Sequence, residues 1–426
     1  MSSPYNTFSY YTFGCKVNFA DTCTISRQLI GEGFSEVKID AEADIYIVNT
    51  CSVTENANKK ARRFINKLHK RSPNSKIIVT GCYAQLNPEE LSDIPGVSNV
   101  INAQNKFNIK SYINYDNRKN IISDINGVKN FISSYSINER TRAFLKIQDG
   151  CDYTCSYCTI PMARGKSRSA NIEDTVLKVE EIVHKGINEI VLCGINVGDF
   201  GSNNNESLLD LLIELEQVEQ LKRYRISSIE PNLLNNEMIE FVSKSKKFVP
   251  HFHVPLQSGS DKILKKMKRR YLTNLFSNRV KIIKHYMPNS CIGVDVIVGF
   301  PGECDKEFMK TYDYISKLDI SYLHVFKYSE RSNTEAINYS KVVPELVRKK
   351  RSKMLRELSF RKKRYFYESQ IGKKLNILFE SENKNGFIEG FTENYIKVRE
   401  HWNPEKTNTI HKRLLRSIDE MGYCRV

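Results

Sequence analysis

The chain has 426 residues, enough for two or three domains that each bury an apolar interior. Its composition, 40% hydrophobic and 27% charged, excludes a disordered polar chain, and no run of about 18 apolar residues indicates a membrane span. The formal charge of +16 favours either a polyanionic partner such as nucleic acid or simply a solvated basic surface. Because the amino end also lacks a secretion-signal pattern, we expect a cytoplasmic protein with no membrane partner.

The first hundred residues alternate strand-like and helix-like segments. Three short apolar runs are predicted strands: residues 8–13, 43–48 and 76–80. A cysteine stands just past each run, and these form the strand-end triad: Cys15, Cys51 and Cys82. Parallel strands linked by helices, such as one predicted at 57–70, bring their carboxyl ends to one edge, so we expect the three thiols to meet there. Residues 1–125 are interpreted as an open α/β domain.

A second domain, predicted at 142–368, is separated from the first by a polar linker at 126–141. Strands are predicted at 142–147, 189–193, 224–229, 251–256, 293–298 and 322–326. Helices are predicted between them at 173–185, 207–219 and 307–318. Repeated βα units at this spacing indicate a parallel (β/α) barrel of the TIM type, complete or partial.

A long basic helix is predicted at 344–369, at the end of the second domain. One face of it is predicted to be apolar: Val347, Met354, Leu358 and Tyr365. Its dense positive charge indicates either a solvated bridging helix or one that contacts RNA. Short alternating runs follow at 374–379, 386–391 and 395–399. They predict a small antiparallel β-barrel in a third domain, residues 369–426.

Three further cysteines, Cys151, Cys155 and Cys158, form the loop triad, which directly follows a predicted strand. Three thiols suffice to bind three irons of a cubane cluster and leave the fourth iron free for a small molecule. A structural zinc site would need a fourth close ligand, and the nearest downstream histidine, His184, is well outside the loop. An odd total of 11 cysteines also fits metal ligation better than a disulfide framework.

The loop triad, with the aromatic Tyr157 before its last cysteine, resembles the signature of the radical S-adenosylmethionine (SAM) superfamily. Residues 146–151 and 158–169 are similar to the methylthiotransferase family within it. The motifs around the strand-end triad, at 12–18, 49–54 and 81–85, also resemble that family. Its nucleic-acid-binding TRAM domain is similar to the predicted carboxyl-terminal barrel, so the resemblance covers nearly the whole chain.

The resemblance implies two [4Fe-4S] clusters as cofactors, with SAM. The loop triad would hold the cluster at which SAM is split to a 5′-deoxyadenosyl radical. The strand-end triad would hold the cluster on which the inserted sulfur is carried or assembled. From the residues alone, the strand-end triad can also be read as buried core cysteines, to which free cysteine is prone.

The segments that contact SAM in this family resemble stretches of this chain at the ends of the predicted barrel strands. The residues implied in SAM binding are Tyr157, Asn196, Glu230, Gln257, Ser258, Asp295 and Pro301. Glu230 and Asp295 can instead support or cap neighbouring groups. The arginines predicted to bind substrate are Arg164, Arg168, Arg348 and Arg361. Arg164 and Arg168 suit a substrate phosphate or the SAM carboxylate equally well.

Within the family, two branches act on adenosine 37 of tRNA, and a third acts on a ribosomal-protein aspartate. Lys16 and Val17 stand where the isopentenyladenosine branch usually has Gln and Met, so the chain most resembles the branch that modifies N6-threonylcarbamoyladenosine. The expected partners are tRNA, a low-potential electron donor of the flavodoxin or ferredoxin type, and a sulfur source. The alternatives are the other two substrates, or an RNA-binding protein with redox-sensing iron–sulfur clusters.

Overall fold

The computed structural model describes residues 5–114, 119–121, 124–137 and 141–426. The strands of its amino-terminal unit are β1 (Thr7–Thr12), β2 (Ser35–Glu36), β3 (Ile45–Thr50), β4 (Lys76–Gly81), β5 (Val97–Ile101) and β6 (Lys119–Ile121). Its helices are α1 (Lys16–Gly31), α2 (Glu55–Arg71), α3 (Cys82–Leu86), α4 (Pro88–Ser92) and α5 (Lys110–Ile113). The strands form one parallel sheet in the order β2-β1-β3-β4-β5-β6.

This sheet confirms the open α/β fold expected from the sequence. Every residue of β3 and β4 is buried, because helices cover both faces of a parallel sheet. Separate apolar clusters lie on the two sides of the sheet, one including Tyr46 and the other Ile45. The helix predicted at 57–70 is α2, which begins after Thr54, whose side chain accepts the Ala57 N–H at 3.3 Å.

The central unit begins with short segments that lead into the barrel. Its strands are β7 (Ser134–Tyr135), β8 (Arg142–Lys146), β9 (Gln148–Asp149), β10 (Arg168–Ser169), β11 (Glu189–Cys193), β12 (Arg223–Ile226), β13 (His251–Gln257), β14 (Cys291–Val298) and β15 (Tyr322–Lys327). Its helices are α6 (Ile160–Arg164), α7 (Ile172–His184), α8 (Leu208–Gln217), α9 (Asn236–Lys244), α10 (Asp261–Lys266), α11 (Thr273–Tyr286), α12 (Asp305–Lys317) and α13 (Glu345–Glu368). Short 3-10 helices lie at Ile125–Gly127, Val197–Asp199 and Glu335–Asn338.

Six parallel strands make the partial barrel that the sequence predicts. One ladder contains β12, β11 and β8, and the other contains β13, β14 and β15. The two ladders meet at a seam where Tyr224 N donates to Lys247 O at 2.9 Å and Val249 N donates to Tyr224 O at 3.1 Å. In the segment interpreted as a linker, β7 pairs antiparallel with β8, while residues 138–140 lie outside the described residues.

The carboxyl-terminal unit is a six-stranded sheet in the order β19-β16-β17-β18-β21-β20. Its strands are β16 (Lys374–Lys384), β17 (Phe387–Thr392), β18 (Lys397–His401), β19 (Ile410–Leu414), β20 (Ser417–Ile418) and β21 (Cys424–Arg425), with a 3-10 helix at Pro404–Lys406. All neighbours are antiparallel except β18 and β21, which are parallel. This sheet has its own apolar core, which includes Phe379 and Val398.

The long basic helix is α13, but its buried face differs from the predicted one. Leu358 is buried as expected, whereas Tyr365 is 73% exposed. Leu355 and Leu358 join the barrel core, and Phe366 joins the core of the carboxyl-terminal sheet. The helix passes from one unit to the next, so its buried stripe changes direction near its end.

We expect Leu355→Ala to lower the free energy of unfolding by about 2–5 kcal/mol, because it leaves a cavity where α13 packs on the barrel. Leu355 is fully buried, whereas Leu346 on the same helix is 80% exposed. Leu346→Ala should therefore change stability by no more than about 0.5 kcal/mol. Urea denaturation of both variants measures the difference, and equal losses would contradict the packing described for α13.

Candidate active site

The loop triad directly follows β9, where Gly150 turns the chain. Gly150 has φ of +73°, and a Cβ there would lie 1.9 Å from Lys166 O. Each thiol accepts one N–H group: Cys151 from Tyr153 N at 3.4 Å, Cys155 from Arg269 Nη1 at 3.1 Å, and Cys158 from Ile160 N at 3.5 Å. Burial raises the pKa of Cys151 and Cys158 to about 12. The three donors stabilise thiolates once metal ions displace the thiol protons.

The strand-end triad follows β1, β3 and β4 at one edge of the amino-terminal sheet, as the sequence predicts. Cys51 and Cys82 are buried, and Cys15 is exposed. Burial, followed by the nearby Cys82 thiol, raises the pKa of Cys51 to about 12. Gly14 has φ of +105°, and a Cβ there would lie 2.7 Å from Cys51 Cβ and 2.9 Å from its Sγ. Only glycine at position 14 leaves this edge open.

A buried arginine, Arg164, connects the strand-end triad to the segment that leads into the loop triad. It ends α6, which follows the loop triad and packs against α3, the helix that starts at Cys82. Its Nε donates to Cys82 Sγ at 3.3 Å, its Nη1 to Asp149 Oδ1 at 2.7 Å, and its Nη2 to Asn18 Oδ1. All three guanidinium nitrogens therefore have protein partners, which favours a positioning role over the predicted binding of phosphate or SAM carboxylate.

Asp21 on α1 is the centre of a buried ion network between the amino-terminal unit and the barrel. Its carboxylate accepts hydrogen bonds from Lys106 at 2.5 Å, Lys146 at 2.7 Å and Ser134 at 2.7 Å. Burial alone would raise the pKa of Asp21, but the two lysines lower it to about 2. Lys146 also lies 3.4 Å from Asp149, the carboxylate that Arg164 contacts. The ion network and the two triads are thus one connected structure.

A cavity of about 230 Å³ opens beside the loop triad. The barrel contributes Tyr157, Cys158, Gln257 and Asp295 to its wall, and the amino-terminal unit contributes Val53 and Thr54. Gln257 has φ of +65°, and its buried Oε1 has no hydrogen-bond partner among the described residues. A buried acceptor without a partner fits a ligand with N–H or O–H groups, as SAM has. The cavity thus brings together Tyr157, Gln257 and Asp295, three of the predicted SAM contacts.

Asn196 and Glu230, also predicted SAM contacts, are not among the residues that line this cavity. Asn196 N donates to Gln148 Oε1 at 2.8 Å, and its buried Oδ1 lacks a partner within the described part of the chain. Glu230 forms an ion pair with Arg269, the arginine that contacts Cys155. The Glu230 charge is close enough to act on Cys151. Asn196 has a free acceptor for a ligand, and Glu230 holds Arg269 against the triad.

Three other residues that were predicted to bind SAM or substrate do not line the cavity. Ser258 is buried with its hydroxyl 3.2 Å from Thr311 Oγ1, and Pro301 is buried in the loop after β14. Arg348 is buried on α13, where Nε donates to Val343 O at 2.7 Å and Nη1 donates to Tyr328 O at 3.0 Å. Because a group that binds substrate phosphate must reach solvent, the expectation that Arg348 contacts substrate is replaced by a role in anchoring α13.

For Arg168 and Arg361, binding of the substrate stays a prediction. Arg168 Nη1 donates to Arg164 O at 2.7 Å and Lys166 O at 3.0 Å, which places it at the rim of the site. Arg361 is exposed on α13, and its Nη2 donates to Tyr312 OH at 2.8 Å. Arg361 lies outside the buried ion network, whereas Arg168 is at its edge, with Nη2 3.6 Å from Asp149 Oδ2.

Several residues that build the site were missed by the sequence reasoning. These are Asn18, Asp21, Lys106, Asp149 and Arg269. Asn18 and Asp149 lie inside the motifs at 12–18 and 146–151, so the motif positions between the cysteines contained the signal. Asp21, Lys106 and Arg269 lie in no motif. Their roles follow from contacts across up to 125 residues of sequence, as between Asp21 and Lys146.

The fold and the site together define a class. A partial (β/α) barrel with three cysteines after its first strand, beside a cavity with an unpaired acceptor, is that of a radical SAM enzyme. In agreement, residues 145–315 match the model of the Radical SAM superfamily, and residues 7–102 match the model of the Uncharacterized protein family UPF0004. SAM and [4Fe-4S] clusters are the cofactors of this class, and the thiols and their N–H donors fit them.

Comparisons with curated proteins identify the family. The chain is 39% identical over 92% of its length, and 90% of the relative's, to Threonylcarbamoyladenosine tRNA methylthiotransferase MtaB of Bacillus subtilis. It is 36% identical to the protein of that name from Aquifex aeolicus, over 92% of this chain and 96% of the relative. The chain belongs to the radical SAM methylthiotransferase family, as its motifs predicted.

Solved structures share the fold at low identity. The radical SAM methyltransferase TsrM from Kitasatospora setae matches with a TM-score of 0.58 at 12% identity, covering 75% of this chain and 73% of its own. The cobalamin-dependent SAM radical enzyme OxsB matches with a TM-score of 0.52 at 12% identity, covering 84% of this chain and 56% of its own.

Among the described residues, no helix is both long and apolar enough to cross a membrane.

We expect Asp21→Asn to lower the free energy of unfolding by about 3–5 kcal/mol, because it leaves buried Lys106 without its carboxylate and Lys146 with only Asp149 at 3.4 Å. The folded-state pKa of Asp21, about 2, lies below that of an unfolded aspartate, about 3.9. The ion network therefore contributes fully above about pH 4 and is lost as the pH falls toward 2. The gap between the parent protein and the variant should narrow over that range.

Asp319→Asn is the matched control for Asp21→Asn. Asp319 lies 3.6 Å from Lys284 but is 69% exposed, so its loss should cost no more than about 1 kcal/mol. Denaturation curves recorded at several pH values compare the two variants. A loss that is equal for both, or a gap that widens below pH 4, would contradict the central role of Asp21.

Gly14→Ala should reduce iron binding at the strand-end triad, because its Cβ would overlap Cys51 and its φ of +105° strains alanine. The control is Gly31→Ala, where a Cβ meets no atom within 4 Å. Iron analysis after anaerobic reconstitution should give about half the parent content for Gly14→Ala, since one of two four-iron sites is affected. Full iron content in Gly14→Ala would show that the edge tolerates a side chain.

Proposed function

We propose that this enzyme converts N6-threonylcarbamoyladenosine at position 37 of tRNA to its 2-methylthio derivative. The observation that carries the proposal is the joint contact of Arg164 with Cys82 and with Asp149, which lies two residues before Cys151 of the loop triad. Methylthio transfer needs a radical source and a sulfur source that address one carbon, and a buried guanidinium between two triads fixes their spacing. The named activity of relatives at 36–39% identity supports the choice of substrate.

Two [4Fe-4S] clusters are proposed, one on each triad. When bound, the clusters and SAM would supply the sulfur and the 5′-deoxyadenosyl radical, and a second SAM would supply the methyl group. Around SAM, Tyr157, Gln257 and Asp295 line the cavity, and Asn196 has a buried acceptor without a partner among the described residues. Arg269 donates to Cys155 and is oriented by Glu230. Hydrogen bonds to cluster sulfurs raise the reduction potential, so Arg269 would tune the radical cluster.

The proposed domain boundaries are 1–125 for the cluster domain, 126–141 for a linker, 142–368 for the barrel and 369–426 for a TRAM-like RNA-binding domain. The formal charge of +16 and the exposed arginines and lysines of α13 suit the phosphates of tRNA. Arg168 and Arg361 are the proposed substrate contacts. Because tRNA is its substrate, we place the enzyme in the cytoplasm, with a flavodoxin- or ferredoxin-type electron donor and a separate sulfur source.

The main alternative substrate is a different modified adenosine of tRNA, N6-isopentenyladenosine. The chain is 33% identical to tRNA-2-methylthio-N(6)-dimethylallyladenosine synthase of Lachnoclostridium phytofermentans over 92% of its length. That value is below the 39% of the first relative, and the same catalytic groups would serve either nucleoside. Two alternative functions remain: modification of a ribosomal-protein aspartate, and redox sensing without catalysis. The following experiment distinguishes them from tRNA modification.

Replacing the loop triad by alanine (Cys151→Ala, Cys155→Ala and Cys158→Ala together) should lower the iron content from about eight to about four per chain. Cys304→Ala is the control, because Cys304 is exposed and lies in neither triad. Electron paramagnetic resonance and iron analysis of anaerobically reconstituted protein measure the change. Four irons or fewer in the parent protein would remove the two-cluster proposal.

Mass spectrometry of nucleosides from incubated tRNA then tests the substrate. The parent protein and Cys304→Ala should form 2-methylthio-N6-threonylcarbamoyladenosine, and the triple variant should form none. Product only from isopentenyladenosine tRNA would transfer the proposal to that substrate. Eight irons without any modified nucleoside would favour the ribosomal protein or the redox-sensing role.

A further inference from the structure

A second cavity, here called the lumen chamber, lies inside the barrel on the side of the strand-end triad. Its volume is about 240 Å³. The residues that matter for its chemistry are Cys15, Lys16, Arg142, Arg225, His251 and Tyr395. They come from all three units of the chain: the amino-terminal sheet edge, strands β8, β12 and β13, and the turn before β18. The chamber is separate from the SAM cavity, with which it shares no lining residue.

The lumen chamber has more positive than negative charge. Glu189 does not line the chamber, but its carboxylate lies within ion-pair distance of Arg142 at 3.9 Å, Arg223 at 2.6 Å and Arg225 at 3.2 Å. Burial alone would raise the pKa of Glu189, but the arginines lower it to about 2, so it is ionised. One carboxylate thus serves three guanidinium groups, and Glu380 adds a second contact to Arg142 at 3.2 Å.

Two basic side chains of the chamber lack a full set of partners. Arg225 has a side chain only 2% exposed, yet its Nη1 and Nη2 have no hydrogen-bond partner within the described residues. Lys16 lines the chamber beside Arg142 and Arg225, and burial followed by these two guanidinium groups lowers its pKa. No carboxylate in the described part of the chain lies within 4.0 Å of it. Buried cationic groups with too few partners are costly to desolvate, so this arrangement suits a site that receives an anion.

The shape of the chamber selects a small planar anion. Tyr395 stacks on His251 with ring centroids 4.2 Å apart, and the Arg225 guanidinium lies over the Tyr395 ring at 4.8 Å. Burial keeps the pKa of His251 well below its usual value, so the ring is neutral, and its Nδ1 has no partner among described residues. A backbone phosphate of folded RNA is too encumbered to enter a barrel lumen. A carboxylate on a flexible arm fits, and Arg225 offers it two parallel N–H groups.

We propose that the lumen chamber binds the carboxylate of the threonylcarbamoyl group, with Arg225 and Lys16 as its specificity-determining contacts. This inference rests on the proposed function and deepens it. The substituent provides the one anionic group on the modified base, whereas an isopentenyl group is uncharged and apolar. Cys15 is part of the same chamber wall, so a carboxylate held there places the attached adenine next to the strand-end triad. The binding of the modification therefore sets which carbon faces the sulfur site.

The test measures binding of an anticodon stem-loop RNA to anaerobically reconstituted protein by fluorescence anisotropy. Three RNAs are compared: one with N6-threonylcarbamoyladenosine, one with its methyl ester, and one with unmodified adenosine. The ester keeps the size of the substituent and removes its charge. The parent protein should bind the carboxylate form about tenfold or more tightly than the ester, as expected for charge-assisted hydrogen bonds to a buried site.

Two variants assign the effect to the chamber. Lys16→Met and Arg225→Met should each reduce the preference for the carboxylate over the ester to about twofold or less. Lys16 has no ion pair within the described residues, so Lys16→Met should fold normally even if Arg225→Met disturbs the partners of Glu189. The matched control is Lys244→Met, which removes a 70% exposed lysine paired with Glu240. It should keep the full preference.

The outcomes separate this inference from the proposed function. If the parent protein forms the methylthio product but binds the ester as tightly as the carboxylate, the lumen chamber proposal is wrong and the function stands. The proposal is also overturned if Lys16→Met, folded as judged by its melting temperature, keeps the full carboxylate preference. A carboxylate preference lost in both variants, in a protein that makes no methylthio product, would support the chamber and contradict the function.

Discussion

The carboxylate of Asp21 is the interaction on which the rest of the active site depends. It is fully buried on α1, and it joins Lys106 of the amino-terminal unit to Lys146 of the barrel. Lys146 lies next to Asp149, and Asp149 holds Arg164 against Cys82. Each partner alone would be a costly buried charge, and together they are stable only when the two units dock in one orientation. The ion network therefore determines the spacing of the two cysteine triads.

This arrangement explains how one chain can bring two metal sites to one substrate. The loop triad belongs to the barrel and the strand-end triad to the neighbouring sheet, so a flexible connection would let their distance vary. Arg164 ends α6 on the barrel side and contacts α3 on the other side, with every guanidinium nitrogen engaged. Arg331 adds a second connection, since its guanidinium donates to Ser52 Oγ at 2.5 Å. The active site is thus formed at a rigid interface.

The carboxyl-terminal unit contributes to the barrel interior as well as to the surface. Tyr395 has φ of +67° and stacks on His251 of β13, while the Arg142 guanidinium lies 4.8 Å from the Phe391 ring. A strained backbone at a tyrosine persists only where the surrounding structure holds it. The expected RNA-binding module therefore also closes the floor of the lumen chamber. The packing of that unit and the shape of the barrel interior are therefore physically connected.

The sequence by itself determined the strands that precede the cysteines, part of the barrel elements and the two cysteine triads. Apolar runs that end at Cys15, Cys51 and Cys82, and the close spacing of Cys151, Cys155 and Cys158, are properties of neighbouring residues, so periodicity and motif spacing detect them. The tertiary structure alone decided which charges are buried and which are free. Arg348 belongs to a helix that the sequence predicts to be basic and exposed, but its side chain is buried. Arg164 was predicted to bind a ligand, but it bridges two units. Arg225 is buried in the barrel without a full set of partners. The reason is that desolvation and ion pairing depend on groups brought together from distant parts of the chain, as Asp21 and Lys146 are.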